Sequence, residues 1–210
     1  IDKAIGAIYT GRFTNCGQVC QSMKRVVVHI TRFDEVVTKL KDLLATKKVG
    51  DPTLAETDVG PLVSQKQLDT LLGQVQDAVD KGAIVICGGK RPTGLNGAYY
   101  EPTILTNVTP DMRVWHEEVF GPVLPIVSFE TYEEGIEKAN DTIYGLSSNV
   151  FSGDRAIINR AIADLQAGTV RVNGVNAGRP CNIFGGYKMS GLGRENGHYG
   201  FHDMTQKKQV

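Results

Sequence analysis

The run Arg25-Val-Val-Val-His-Ile30 is short, β-branched and nearly all apolar, and Phe33, Val36, Val37, Leu40, Leu43 and Leu44 follow it at helical spacing. A run of that kind reads as a buried strand, and the stripe behind it as an amphipathic helix that stops before the turn Val49-Gly-Asp-Pro52. The same alternation extends in both directions. Upstream, Ile1, Ala4, Ile5 and Ile8 predict an opening helix, with 11–18 as a loop broken by Asn15 and Gly17. Downstream, Ser64 and Gln67 have capping-box spacing, and Leu68, Leu71, Leu72, Val75 and Val79 continue a helix that closes near Lys81-Gly82. Further strands are predicted at 83–87, 123–129, 147–151 and 168–173. Pro125 cannot donate a hydrogen bond, which places 123–129 near a sheet edge. Thr131 and Glu134 open another capped helix, and 154–165 reads as one more. Residues 174–200 are glycine-rich and read as loop with short helix, and 204–210 as the start of a strand without a partner. Strands alternating with helices predict an α/β fold: a mostly parallel twisted sheet with helices on both faces and right-handed crossovers. No internal repeat or low-complexity linker is visible, so a single domain is the simplest division.

Composition narrows the function classes. Lys plus Arg is 23 and Asp plus Glu is 23, so no net field gathers nucleic acid or an anionic membrane. No apolar run approaches the roughly 20 residues that span a bilayer. The start, Ile1-Asp2-Lys3-Ala4, lacks both a signal-peptide pattern and an initiator Met, which predicts a piece of something longer. The four cysteines, Cys16, Cys20, Cys87 and Cys181, sit in a chain with 41% hydrophobic residues, enough to build a core without disulfides. Reduced thiols and a cytoplasmic setting follow.

Four segments hold residues suited to chemistry. In Phe13-Thr-Asn-Cys-Gly-Gln-Val-Cys20, cysteines occupy a polar, glycine-containing loop between a helix and a strand, the setting of a thiolate nucleophile. The opposing reading is a buried structural thiol. No second cysteine pair stands at zinc spacing, so no metal is expected. In Glu117-Glu-Val-Phe-Gly-Pro122 a carboxylate beside an aromatic and a Gly-Pro turn could grip ribose hydroxyls, or form a plain acidic turn. The stretch from Asn182 to Glu195 is a glycine-rich loop that allows close backbone approach to a ligand, but it lacks P-loop or dinucleotide-fingerprint spacing. The strand Gly168-Thr-Val-Arg-Val-Asn173 ends in a polar side chain that either braces a turn or touches a substrate.

Together and in this order, the four segments closely resemble the aldehyde dehydrogenase superfamily, and the resemblance covers essentially all 210 residues. Val49-Gly-Asp-Pro52, Gly60-Pro61 and Glu101-Pro-Thr103 fit it as well. It implies that Cys20, two places after the Gly-Gln pair, is the nucleophile, and that Cys16 is not. It implies that Glu118 binds the nicotinamide ribose of NAD or NADP and that Phe120 packs near the nicotinamide. It places Phe184 at the substrate tunnel, with Asn173 also on the substrate side. The implied reaction oxidises an aldehyde to a carboxylic acid through a cysteine thiohemiacetal, hydride transfer and thioester hydrolysis. The backbone N–H of Cys20 is one donor for the alkoxide.

The match also defines what lies upstream. The family's general-base Glu, its second oxyanion donor (an Asn) and its nucleotide-binding half all precede the cysteine and are absent from this chain. The expectation is therefore a catalytic thiol domain over 1–193 and a segment over 194–210 leading to a truncated oligomerisation strand. On its own this piece is expected to be inactive, and at full length to form a homodimer or homotetramer. A CoA-acylating relative and a non-catalytic paralogue on the same fold are the alternative readings. Thr14 replaces the arginine that succinate-semialdehyde members carry there, and Arg179 is a second candidate for facing an anionic substrate. The residue that chooses between NAD and NADP belongs to the upstream half.

Overall fold

The computed structural model describes residues 1–174 and 178–209. By compactness the chain divides into two units, Ile1–Lys138 and Ala139–Val210, and the cut falls inside a helix. The motif-based boundary between 193 and 194 is a different kind of division, drawn by role rather than by packing.

The first unit runs α1 (Asp2–Phe13), a tight turn at Thr14–Gly17, β1 (Val26–His29), α2 (Ile30–Ala45), α3 (Gln65–Asp80) and β2 (Ile84–Cys87). It continues with β3 (Thr103–Thr106), α4 (Arg113–His116), β4 (Val123–Phe129) and most of α5 (Tyr132–Asn140). Its four-stranded sheet has the order β1-β4-β3-β2. β4 is parallel to β1 and to β3, while β2 is antiparallel to β3.

Strand periodicity divides the core in two. Val26, Val28, Ile104, Leu124 and Ile126 face α1 and α2, where they meet Ile5, Ile8, Phe13, Val36, Leu40 and Leu44. Val27, Leu105, Val123 and Val127 face α3 and α4, where they meet Leu68, Leu71, Val75, Ala78, Val114 and Trp115. Each fully buried leucine here contributes about 1.5–3 kcal/mol by leaving water. Helices on both faces of a mostly parallel sheet are the expected architecture.

Several local expectations change. Pro125 is not near an edge, because β4 is central. The β3 ladder ends at Leu105↔Pro125 and the β1 ladder begins at Val26↔Ile126, so the proline sits where pairing passes from one neighbour to the other. The Ser64 cap forms, with Gln67 N–H donating to Ser64 Oγ at 3.2 Å, but the Gln67 side chain instead donates to the Phe120 carbonyl at 3.0 Å. Thr131 Oγ1 accepts from Glu134 N–H at 3.3 Å, and the Glu134 carboxylate accepts from Glu130 N–H at 2.7 Å, one residue earlier than a capping box requires. α3 ends as expected at Gly82, whose φ of +97° only glycine adopts readily. Its N–H reaches Val79 O at 3.0 Å and Ala83 N–H reaches Ala78 O at 2.8 Å, the paired bonds of a Schellman close.

The second unit holds β5 (Tyr144–Gly145), β6 (Ser147–Val150), α6 (Arg155–Asp164), β7 (Thr169–Val172), β8 (Tyr187–Lys188) and α7 (Gly197–Asp203). β6 and β7 are parallel, and β5 and β8 antiparallel. Asp154 caps α6 by accepting from Ala156 N–H at 2.7 Å and Ile157 N–H at 3.3 Å. Among the described residues, Ala161 is the one buried hydrophobic of this unit, while Met189, Leu192, Tyr199, Phe201 and Met204 stand exposed. Residues 205–209 form no strand, and Val210 lies outside the described residues.

Candidate active site

The cysteine loop is built from an unusual backbone. Asn15, Cys16 and Gly17 take φ values of 51°, 58° and 73°, three left-handed residues in succession. Such a conformation costs a non-glycine residue about 1–2 kcal/mol, so the surroundings must enforce it. Gln18 is one restraint: its side-chain amide donates to Asn15 O at 3.2 Å and Pro61 O at 3.4 Å, and its oxygen accepts from Val63 N–H at 2.8 Å. The Asn15 side chain donates to Gln18 O at 3.1 Å. A Cβ on Gly17 would lie 2.3 Å from the carbonyl oxygen of Gly121, so the loop rests directly on the Glu117–Pro122 segment at a point where only glycine fits.

Past this knot the chain makes a turn, with Ser22 N–H donating to Val19 O at 2.9 Å, and Met23 N–H closes onto Gly11 O at 2.9 Å. Cys20 sits in the turn and is exposed, while Cys16 is buried. Among the described residues, no backbone carbonyl accepts from the Cys20 N–H. Burial pushes the Cys16 thiol up to about 12, against a smaller opposing pull from Arg12. The two thiols are thus separated by environment: Cys16 is a core side chain and Cys20 is open to reagent. Iodoacetamide is expected to label Cys20 well before Cys16 and Cys87. Mass mapping that found Cys16 labelled as fast as Cys20 would contradict this separation.

The neighbouring carboxylates also part company. Glu117 pairs with Arg113 (Nε–Oε1 2.8 Å, Nη2–Oε2 3.0 Å) and accepts from Gln74 at 2.9 Å, which together hold its carboxyl below the ordinary range. Glu118 is exposed, and its backbone carbonyl accepts from Gln74 at 3.2 Å. Phe120 is half-buried, its carbonyl held by Gln67. The backbone of both residues is thus anchored, while the Glu118 carboxylate stays exposed as a hydrogen-bond acceptor.

Arg12 joins these pieces. It is 2% exposed, and its guanidinium donates to Met23 O at 3.0 Å, to Val119 O and to Gly121 O. The exit of the cysteine loop and the Glu118–Phe120 backbone therefore share one buried cation. Sequence reading did not single out Arg12, although it continues the Ile5, Ile8 stripe at helical spacing, and a charged residue on a buried stripe is the signal that could have found it.

Lys24 lies beside it, donating to Glu117 O. Burial, with Arg25 and Arg12 adding to it, draws its ammonium down to about 7 from 10.5. Below about 7 both folded and unfolded chains hold the proton, and the burial penalty is constant. Between about 7 and 10.5 the unfolded chain binds a proton that the folded chain has shed, so this group makes stability rise with pH. Replacing Lys24 by Met is expected to flatten that rise, seen as urea midpoints converging with the parent toward pH 10. A parallel rise in both proteins would refute it.

The second unit holds the other two expected residues. Asn173 lies just past β7, and both ends of its carboxamide are used on Ser152: Nδ2 donates to Ser152 O at 2.9 Å, and Oδ1 accepts from Ser152 N–H at 3.0 Å. Of the two sequence readings, bracing a turn is the one its geometry displays. Phe184 is half-buried and forms a two-bond bridge with Glu195 (2.8 Å each way) that closes the glycine-rich loop. Arg179 and Cys181 are exposed. Among the described residues no cluster of three metal-ligating side chains occurs, and no helix is long and apolar enough to cross a membrane.

An exposed thiol thus sits on a braced loop that packs against a segment carrying an exposed carboxylate and a half-buried ring. The aldehyde dehydrogenase family model matches residues 1–210, and the chain belongs to that family. It is 41% identical over 210 residues to the succinate-semialdehyde dehydrogenase (NADP(+)) 1 of Mycobacterium ulcerans, covering all of this chain and 46% of that one. The lactaldehyde dehydrogenase of Escherichia coli superposes with a TM-score of 0.95 at 36% identity, over 100% of this chain and 44% of the other. An NAD+ complex of an aldehyde dehydrogenase from Bacillus cereus gives 0.93 at 38% identity, over 98% and 42%. The chain thus spans less than half the length of these relatives.

Proposed function

We propose that this chain is the thiol-bearing part of an NAD(P)-dependent aldehyde dehydrogenase, with Cys20 as nucleophile. The observation that carries the reading is the shared anchoring of the Cys20 loop and the Glu118–Phe120 segment through Arg12 and the Gly17–Gly121 contact. In this reading the Cys20 thiolate adds to the carbonyl carbon of a small aldehyde, making it tetrahedral, and the Cys20 N–H donates to the oxygen that becomes negative. Glu118 would accept hydrogen bonds from the ribose hydroxyls and Phe120 would set the position of the ring. The nicotinamide, when bound, supplies the hydride acceptor. Loss of hydride leaves an acyl thioester on Cys20, and water then releases the carboxylic acid. The base for that water and the second oxyanion donor belong to the upstream half implied by the family resemblance.

Phe184 is assigned to the substrate side. Asn173 is assigned there through the turn it braces. Residues 1–193 act as the thiol domain and 194–210 as the segment leading to an oligomerisation strand. The longer protein is read as a cytoplasmic homodimer or homotetramer.

An NAD(P)+ reduction assay with a panel of small aldehydes tests the proposal. The longer protein that contains this chain is expected to turn over, and the 210-residue chain alone is not. Absence of turnover in the longer protein would sink the enzyme reading, and steady-state turnover by the short chain would sink the division of labour.

A further inference from the structure

We propose that His198 and His202 form a two-imidazole chelate for a divalent transition-metal ion, through side chains to which the dehydrogenase reading gives no role. The two residues stand four apart on α7, one above the other on the same face. Their Nε2 atoms lie 3.0 Å apart, with ring centroids at 4.3 Å and planes at 85°. Both side chains are exposed, so water has access to the nitrogens.

The distance discriminates between coordination geometries. With metal–nitrogen bonds of about 2.1 Å, two ligands at a right angle sit about 3.0 Å apart and two at the tetrahedral angle about 3.4 Å apart. The observed 3.0 Å is a hydrogen-bonded separation that adjacent positions of a six-coordinate or square-planar ion keep unchanged, whereas a tetrahedral ion would part the nitrogens. Imidazole donors in such geometry suit Ni2+ and Cu2+ better than the closed tetrahedral sites of structural zinc. In the metal-free helix one imidazole donates its proton to the other. Binding requires the donor ring to pass its proton from Nε2 to Nδ1 through water, and each ring to rotate, so that both Nε2 lone pairs converge on the ion.

No third protein ligand is at hand among the described residues. Asp203, the next acidic residue on the helix, accepts from the Arg194 N–H at 2.9 Å. The remaining positions therefore belong to water, which makes the site an open, exchangeable one. His29 and His116 stand on other elements, His29 bonded to Thr31, and serve as internal references.

Ni2+ is the probe, titrated calorimetrically into the 210-residue chain after its thiols are alkylated, so that sulfur cannot compete. One equivalent is expected to bind. His198→Ala and His202→Ala should each weaken it by about a hundredfold, the loss of the second, intramolecular donor, while His116→Ala leaves it unchanged. No binding by the parent chain, unchanged affinity in either variant, or loss in only one of them overturns the chelate. Because alanine at these positions could also loosen α7, a second measurement uses the unaltered chain. Ni2+ is expected to slow diethylpyrocarbonate modification at both His198 and His202, read by peptide mass. Equal rates with and without the ion at either residue would equally overturn it.

Discussion

Arg12→Met is expected to lower unfolding stability by about 2–4 kcal/mol, because buried backbone carbonyls lose their donor. Arg12 is fully enclosed, and desolvation draws its guanidinium down to about 10, still protonated at neutral pH. Its planar fork serves carbonyls of Met23, Val119 and Gly121, which come from different parts of the chain. Methionine fills much of the volume but leaves the Met23 and Val119 carbonyls without this donor, at about 1–3 kcal/mol each, while the Gly121 carbonyl keeps the Val123 N–H at 2.9 Å; part of the loss is offset because no charge is then buried. Against a domain stability of about 5–15 kcal/mol this is a large fraction. Arg12→Lys keeps the charge, yet one ammonium cannot span the same three oxygens, so an intermediate loss is expected. Urea midpoints at constant m-value read the difference, and a loss below about 1 kcal/mol for methionine would show that the carbonyls find other partners.

Cys20→Ser in the longer protein is expected to reduce kcat by roughly a thousandfold or more, as removal of a nucleophile does elsewhere. A hydroxyl of nearly the same size keeps the turn between Val19 and Ser22 and alters no packing, since Cys20 is exposed. What is lost is a group that ionises readily and leaves readily. Cofactor binding, followed by fluorescence of the reduced nucleotide, should stay within about twofold, because the residues proposed to hold it are Glu118 and Phe120. Retained turnover would remove Cys20 from the mechanism. Lost cofactor binding would instead mean that the loop had collapsed. Cys16→Ser is the contrasting change: it puts a hydroxyl into a core position and should affect stability before rate.

The legible and illegible parts of this molecule follow physical lines. β4 is read at its observed bounds, and α2 and α3 follow from long apolar stripes, because period and length are strong where a helix or strand has one face to bury. β3 escapes because Thr103-Ile-Leu-Thr106 is four residues long and buried on both faces, which erases alternation. α4 is a single turn held by packing of Val114 and Trp115, too short for any periodic signal. The reading of Pro125 as near-edge fails because it counts the missing donor without knowing where each ladder starts. At the site, motif order singles out Cys20, Glu118 and Phe120. The residues that hold them, Arg12, Gln67 and Gln74, act on distant backbone carbonyls, and nothing in their local sequence names those partners.

The guanidinium of Arg12 reaches carbonyls 107 and 109 residues further along the chain, and β1 pairs with a strand 100 residues away. On a ribosome adding about 5–20 residues per second, the thiol loop emerges on the order of 10 s before the segment that organises it. During that interval Cys16, buried in the finished fold, belongs to a nascent chain without its packing partners, open to oxidants and adventitious disulfide partners. The architecture that buries Cys16 in the finished fold therefore makes that thiol one of the last features to acquire protection, and assigns the reducing state of the surroundings a part in the yield of usable protein.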